Sequence, residues 1–168
     1  DEFYYLNKYD RVSQSGNARV GALAVEAGNA SITADDDAIM AGPVSVSGDY
    51  SVRGRNVALS GVQSAGGAIS ITSASSGQIP NSGTLTLTAN SDGVGTESLT
   101  LKGRMALGSN SLLRGGPARE SAVIIDSGVA NDITLGNVEA ASLAIANGAI
   151  LNADLTITGI FGEQQVQT

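Results

Sequence analysis

Three consecutive aspartates, Asp35, Asp36 and Asp37, form the densest cluster of charged side chains in the sequence. Ca²⁺ prefers several carboxylate and carbonyl oxygens, so this triplet is a candidate calcium site. Neighbouring residues of a strand point to opposite faces, and the three carboxylates therefore converge only in a turn. The alternatives are a solvent-exposed turn between two strands and an acidic site of a polysaccharide-cleaving enzyme.

Six basic residues could form a line along one face if successive strands align. They are Arg53, Arg55, Lys102, Arg104, Arg114 and Arg119. Beside carboxylates, such a line could bind acidic sugars. Their positions next to strand-like segments instead predict exposed turn residues that pair with Asp and Glu of adjacent coils or of neighbouring molecules. Exposed ion pairs of this kind contribute about 0–1 kcal/mol each.

The composition argues against several classes of function. The chain has no His, the commonest general base, and no Cys for disulfides or thiolate chemistry. Its net charge is −7 and its nine Lys and Arg are scattered, which argues against a nucleic-acid partner. No apolar run reaches the roughly 20 residues of a membrane-spanning helix. We therefore expect no enzymatic activity, no membrane span and no cofactor other than calcium at Asp35–Asp37.

Short segments that alternate aliphatic residues with Ser or Thr recur along the chain. They are residues 22–27, 30–34, 44–48, 50–54, 56–61, 68–73, 84–89, 98–103, 122–126, 132–136, 141–146 and 154–159. Alternation with period 2 predicts strands with one buried face, and the Gly, Asn and Asp between them are turn formers. Only residues 141–151 could be interpreted as a helix, and Asn147-Gly148 interrupts that segment.

The repetition itself indicates how these strands are arranged. A repeated unit that cannot bury its inner face alone needs a copy above and below it. We therefore predict an all-β, single-stranded, right-handed parallel β-helix (β-solenoid) with roughly 20 residues per coil. A β-sandwich of hairpin-connected strands is the alternative. With only four Tyr, two Phe and no Trp, the chain has few of the large aromatics that sandwich cores favour.

An atypical aromatic segment precedes the repeats. Phe3, Tyr4, Tyr5 and Tyr9 are four of the six aromatic residues, and Phe161 lies in the C-terminal tail. The segment could cap the first coil, dock onto a neighbouring copy, or be the remnant of a larger parent protein. Tyr suits an interface because it buries area and keeps a polar hydroxyl group.

Three parts follow from these patterns. We predict an N-terminal cap or docking segment at 1–16, a β-helix body at 17–160 and a C-terminal tail at 161–168. The chain starts at Asp1, which is compatible with a processed mature protein and with a fragment.

Three stretches resemble the haemagglutinin-type repeats of filamentous haemagglutinin and related two-partner-secreted exoproteins, and are similar to passenger domains of autotransporter adhesins. They are GALAVEAGNASITADDDAIMAG, GDYSVRGRNVALSGVQSAGGAISIT and NDITLGNVEAASLAIANGAILNADLTITG. The cadence of small-residue turns and alternating strands runs from about Gly21 to Gly159, and the NPNG-type signature of the family's secretion domain has no match. The resemblance implies a right-handed parallel β-helix that is secreted or displayed on a bacterial surface.

The expected function is therefore a non-enzymatic structural or adhesive rod. Its expected partners are copies of itself, a larger parent protein, or ligands on host or bacterial surfaces. One alternative is a subunit that self-assembles through its termini into an extracellular filament, since stacking that does not close generates fibres. The other is a polysaccharide-binding or polysaccharide-cleaving β-helix that uses Asp35–Asp37 with nearby Arg side chains.

Overall fold

The computed structural model describes residues 10–14 and 16–157, and this part of the chain contains strands, turns and bends without a helix. Accordingly, no described helix is long and apolar enough to cross a membrane. The fifteen strands are β1 (Asp10–Gln14), β2 (Ala18–Val20), β3 (Leu23–Val25), β4 (Ala30–Ala34), β5 (Ala38–Met40), β6 (Val44–Val46), β7 (Tyr50–Gly54), β8 (Val57–Ala65), β9 (Ile69–Ser73), β10 (Gln78–Ala89), β11 (Leu99–Lys102), β12 (Arg104–Ala106), β13 (Ser111–Gly115), β14 (Ala122–Ala140) and β15 (Ser142–Ile157).

The strands stack in parallel on three faces of a solenoid. Face 1 contains β1, β4, β7, β9, β11 and the first parts of β14 and β15. Face 2 contains β2, β5, β12, the starts of β8 and β10, and the middle of β14 and β15. Face 3 contains β3, β6, β13 and the ends of β8, β10, β14 and β15. The result is a β-solenoid of about six turns, which confirms the predicted fold and rules out the sandwich alternative.

The coil length on face 1 is regular at first, increases in two coils and returns to its first value between Val123 and Leu143. On face 1, Ala30 pairs with Tyr50 and Tyr50 with Ile69, so these two coils are nearly equal in length. Ile69 pairs with Leu99, and this coil is much longer because it contains the turn at 74–77, a register shift between Asn81 and Leu85, and the loop at 90–98 before β11. Leu99 pairs with Val123, and this coil is also longer than the first two because it contains a second loop at 116–121.

The core consists of aliphatic columns that run from coil to coil. On face 1, one column is Ile32, Val52, Ile71, Leu101, Ile125 and Ile145. Each of these side chains is at most 1% exposed. Full burial of such a side chain contributes about 1.5–3 kcal/mol, so the stacking that the repetition predicted also supplies the main driving force for folding.

The strand assignments from sequence covered most of face 1 and were incomplete on faces 2 and 3. The three-residue strands β2, β5 and β12 were not predicted, nor was β13. A helix was considered for residues 141–151, and all of them except Ala141 lie within β15. The strand β1 lies within the predicted N-terminal segment 1–16 and pairs with β4.

Candidate binding groove and the polar corners

A groove crosses the outer surface of face 1 over β4, β7 and β9. A cavity of about 460 Å³ opens where face 1 turns into face 2, and Asp35, Arg53 and Arg55 are among its lining residues. A second cavity of about 240 Å³ adjoins it and shares Thr33, Arg53 and Thr72 with the first. The two cavities together form one groove that spans three neighbouring coils.

The register of face 1 builds the groove from two columns of outward side chains. The columns, in coil order, are Ser31, Ser51, Ser70 and Thr33, Arg53, Thr72. On β11 the same columns continue with Thr100 and Lys102. Because neighbouring strands lie about 4.8 Å apart, the groove presents hydroxyl groups at that regular interval along the solenoid axis.

Arg53 and Arg55 line the same cavity, but they differ in whether they contact acidic side chains. Arg55 Nη2 lies 3.4 Å from Asp37 Oδ1 and Arg55 Nη1 lies 3.8 Å from Asp36 Oδ1. The exposed guanidinium of Arg53 forms no hydrogen bond or ion pair with the residues that the structure describes. Arg53 therefore offers the groove a positive charge that the described fold does not use.

The Asp35–Asp37 triplet forms the turn between β4 and β5, as one interpretation of the sequence predicted. Asp37 Oδ1 accepts a hydrogen bond from Asn56 Nδ2 at 2.9 Å in addition to its contact with Arg55. Within residues 10–14 and 16–157, no group of three acidic or other ligating side chains is placed to hold a metal ion. The calcium site stays a prediction, and the carboxylates of Asp36 and Asp37 have Arg55 as a competing partner.

The predicted pairing of basic residues with acidic residues of adjacent coils is confirmed at three positions. Besides Arg55, Arg114 Nε lies 3.4 Å and Arg119 Nε 3.9 Å from Glu139 Oε1 on the following coil. The predicted location in turns was wrong for four of the six basic residues, which lie within strands. They are Arg53 in β7, Lys102 in β11, Arg104 in β12 and Arg114 in β13.

Side-chain clamps link successive coils at the corners. Where face 3 turns into face 1, Asp49 N donates to Asn29 Oδ1 at 2.7 Å, and Ala68 N donates to Asp49 Oδ1 at 2.9 Å. Where face 1 turns into face 2, Asp37 N donates to Asn17 Oδ1 at 3.0 Å, and Gln78 N to Asn56 Oδ1 at 2.9 Å. Each Asn or Asp thus caps a backbone N–H of the next coil close to the start of a strand.

A glycine precedes several of these clamps because the preceding coil lies in direct contact with the glycine backbone. A Cβ on Gly48 would overlap Asn29 Oδ1, and a Cβ on Gly67 would overlap Asp49 Oδ1. The turn sequences Gly48-Asp49 and Gly28-Asn29, predicted from their turn chemistry, are therefore also contacts between coils. This second role depends on the register, which the sequence alone does not give.

The inserted corner, which we define as residues 90–98 and 116–121, is built differently. Both loops lie between face 3 and face 1 on successive coils. Buried oxygen atoms there lack a hydrogen-bond partner within the described structure: Asn90 Oδ1, Glu120 Oε1 and Ser121 Oγ. Val94, at the tip of the first loop, is 71% exposed. Residues 92–97 and 117–118 are exposed, so this corner offers exposed loops rather than a repeated pattern of side chains.

A buried polar pair crosses the interior of the third coil. Tyr50 and Gln63 are fully buried, and the Tyr50 hydroxyl donates to Gln63 Oε1 at 2.8 Å. Gln63 Nε2 in turn donates to the carbonyl oxygens of Met40 and Ser60, both at 2.9 Å. Burial raises the pKa of the Tyr50 phenol far above its ordinary value of 10.0. Nothing in the sequence singled out Gln63, although a Gln among aliphatic inward positions was the available signal.

The aromatic residues proposed as a cap or interface lie outside the described residues. These are Phe3, Tyr4, Tyr5, Tyr9 and Phe161. Assembly through the termini therefore stays a prediction.

No family model, curated protein or solved structure matches this chain. The fold and the geometry of its surfaces are therefore the basis for a functional proposal. The groove can donate and accept hydrogen bonds and can bind an anionic group at Arg53, which are properties of a binding surface.

Proposed function

We propose that this chain is a non-enzymatic structural and adhesive segment of an exported bacterial surface protein. The observation that carries the proposal is the stacking itself. Aliphatic columns fill the interior, and Asn and Asp clamps join the first coils at two corners. These interactions hold each coil to its neighbours and leave the outer columns of Ser, Thr and Arg available to a partner.

A solenoid suits this function for a physical reason. Each coil contacts only its neighbours, so a rod can be lengthened by adding coils without redesign of the core. The outer columns then repeat at the strand spacing and form extended surfaces for a partner. The resemblance of residues 21–159 to haemagglutinin-type repeats supports export and display at a cell surface.

Adhesion can be measured with the purified chain. Fluorescent beads that carry the folded chain should bind host cells or bacterial cells several-fold better than beads with an unrelated protein of similar size and net charge. A panel of polysaccharides incubated with the same preparation should release neither reducing ends nor unsaturated sugars. Beads that bind no better than the control would contradict the adhesive role, and turnover of a polysaccharide would support the enzymatic alternative.

A further inference from the structure

The groove on face 1 has the chemistry of a site for an extended polyhydroxylated ligand. Its outward columns supply hydroxyl groups from Ser31, Ser51 and Ser70 on one side and from Thr33 and Thr72 on the other. Each hydroxyl can both donate and accept a hydrogen bond. Since these groups repeat from coil to coil, a ligand whose own hydroxyl groups repeat can lie along the solenoid axis.

The charges of the groove indicate that this ligand also carries an acidic group. Arg53 lies in the middle of its column, between Thr33 and Thr72, and makes no ion pair with the described residues. A planar guanidinium binds carboxylate and sulfate through two parallel hydrogen bonds. Asp35 lines the same cavity and disfavours a densely charged polyanion, so hydroxyl groups should make up the rest of the contact.

Two other classes of ligand fit the groove less well. No aromatic side chain lines either cavity, so a ligand cannot be held by stacking on a ring. An extended peptide binds a sheet by pairing with an open strand edge. The strands β4, β7 and β9 each already have two parallel neighbours, which leaves no open edge along the groove.

We propose that the groove over β4, β7 and β9 binds a linear acidic glycan along the solenoid axis, with a carboxylate or sulfate of the glycan on Arg53. This inference rests on the proposed adhesive function and names the class of ligand and the face that binds it. On β11, Lys102 continues the column of Arg53 and provides a second cation for a longer glycan.

Titration with oligosaccharides of matched length tests the proposal. The probes are partly methyl-esterified oligogalacturonate for carboxylates, sparsely sulfated dextran oligosaccharides for sulfates and neutral dextran oligosaccharides as the uncharged reference. At least one acidic probe should bind tenfold or more tightly than neutral dextran, and added salt should weaken its binding. The ratio between the two acidic probes identifies the acidic group. Equal binding of neutral and acidic probes, or no binding of any probe, would overturn the proposal.

Two arginine variants locate the site. Arg53→Gln should weaken the binding of the acidic probe about tenfold, because Gln keeps hydrogen-bonding capacity and removes the charge. Arg19→Gln, on the exposed surface of β2 in face 2, removes the same charge and should change binding less than twofold. Thermal melting of both variants should match the parent chain. Equal weakening by the two substitutions would show that net charge alone drives binding and would contradict the groove.

An acidic peptide and the bead assay separate the remaining outcomes. Oligoglutamate that bound as tightly as the acidic oligosaccharides would overturn the assignment to a glycan. The chain could bind no acidic probe, and beads with the Arg53→Gln variant could still adhere to cells as well as beads with the parent chain. That result would overturn the groove proposal and leave the adhesive function intact. If the chain binds an acidic glycan but its beads do not adhere to cells, the result would contradict the adhesive function and leave the groove proposal intact.

Discussion

Every coil must connect face 3 to face 1, and the regular and inserted parts of this corner make that connection in different ways. In the regular part, residues 47–49 and 66–68 make short turns, and the Asn29 and Asp49 side chains cap the backbone of the next coil. In the inserted corner, Asn90 and Ser91 still donate backbone hydrogen bonds to the preceding coil, and the exposed residues 92–97 leave the stack before the chain returns at β11. There, the buried Oδ1 of Asn90 and Oγ of Ser121 have no hydrogen-bond partner within the described structure.

The difference between the two parts shows how repetition of the coil satisfies polar groups. A regular coil places each polar group opposite a complementary group of the next coil, so one satisfied contact is copied along the axis. An insertion breaks that correspondence, and buried polar atoms without partners destabilise the protein by about 1–3 kcal/mol each. We infer that the regular part stabilises the rod, whereas the exposed residues of the inserted corner, 92–97 and 117–118, can change in sequence with little loss of stability.

The largest effect is expected from closing the small space at a regular turn. Gly66 lies in the regular part of the corner, and a Cβ there would overlap the backbone carbonyl oxygen of Ser47 on the preceding coil. Gly66→Ala should destabilise the chain by about 3 kcal/mol because the two coils must separate locally. Differential scanning calorimetry should show a Tm lower by roughly 6–12 °C, at about 2–4 °C per kcal/mol.

Gly21→Ala is the matched control for this substitution. Gly21 is exposed, and no atom lies within 4 Å of the position that its Cβ would take. Its Tm should stay close to that of the parent chain, since substitutions at open surface positions change stability by about 0.5 kcal/mol or less. Equal Tm values for the two variants would contradict the close contact between coils at the regular turn.

The buried pair in the third coil allows a satisfied polar contact to be broken. Tyr50→Phe removes the donor to Gln63 Oε1 and leaves that buried oxygen without its partner. We expect a loss of about 1–3 kcal/mol in the free energy of unfolding, measured by urea denaturation at pH 7. In the double variant Tyr50→Phe/Gln63→Leu, the two losses should not add, because the pair is in direct contact. Strict additivity would mean that the hydrogen bond contributes nothing.

The same pair predicts how the stability difference between the parent chain and the Tyr50→Phe variant depends on pH. Burial raises the pKa of the Tyr50 phenol in the folded chain above its ordinary value of 10.0. In the unfolded chain the phenol loses its proton near pH 10, so above that pH the unfolded state binds fewer protons than the folded state. The stability advantage of the parent chain over Tyr50→Phe should therefore be constant below about pH 9 and fall above pH 10. A constant difference up to about pH 11 would contradict the raised pKa.

The sequence predicted the solenoid because its signal is local and repeated. Alternating segments such as residues 69–73 and 99–102 identify face 1 directly. Face 2 was harder to predict because the sequences of β2, β5 and β12, ARV, AIM and RMA, do not alternate an aliphatic residue with Ser or Thr. The equally short strands β3 and β6 lie within longer alternating segments, residues 22–27 and 44–48. The inserted residues 90–98 also obscured the spacing between repeats, since they lengthen the coil that runs from Ile69 to Leu99.

The candidate groove could be predicted only in part, because it depends on the register between distant residues. Arg53 and Thr72 are neighbours on adjacent coils, although the whole of β8 lies between them in the chain. Arg53 and Arg55 also look alike in sequence, and only the turn at Asp36 and Asp37 distinguishes the paired side chain from the available one. Nothing local in the sequence encodes either relation.

The smallest effects should have opposite signs in the two parts of the corner. Asp49→Ala removes the acceptor for the Ala68 N–H and should destabilise the chain by about 1 kcal/mol, whereas Asp49→Asn keeps an acceptor and should be close to neutral. Ser121→Ala removes a buried hydroxyl group that has no partner in the described structure, so it should be neutral or stabilise the chain by up to about 1 kcal/mol. Urea denaturation with a shared slope would compare the three variants directly. Ser121→Ala that destabilised the chain as much as Asp49→Ala would show that the inserted corner satisfies its polar groups too, and the contrast between the two parts would then be lost.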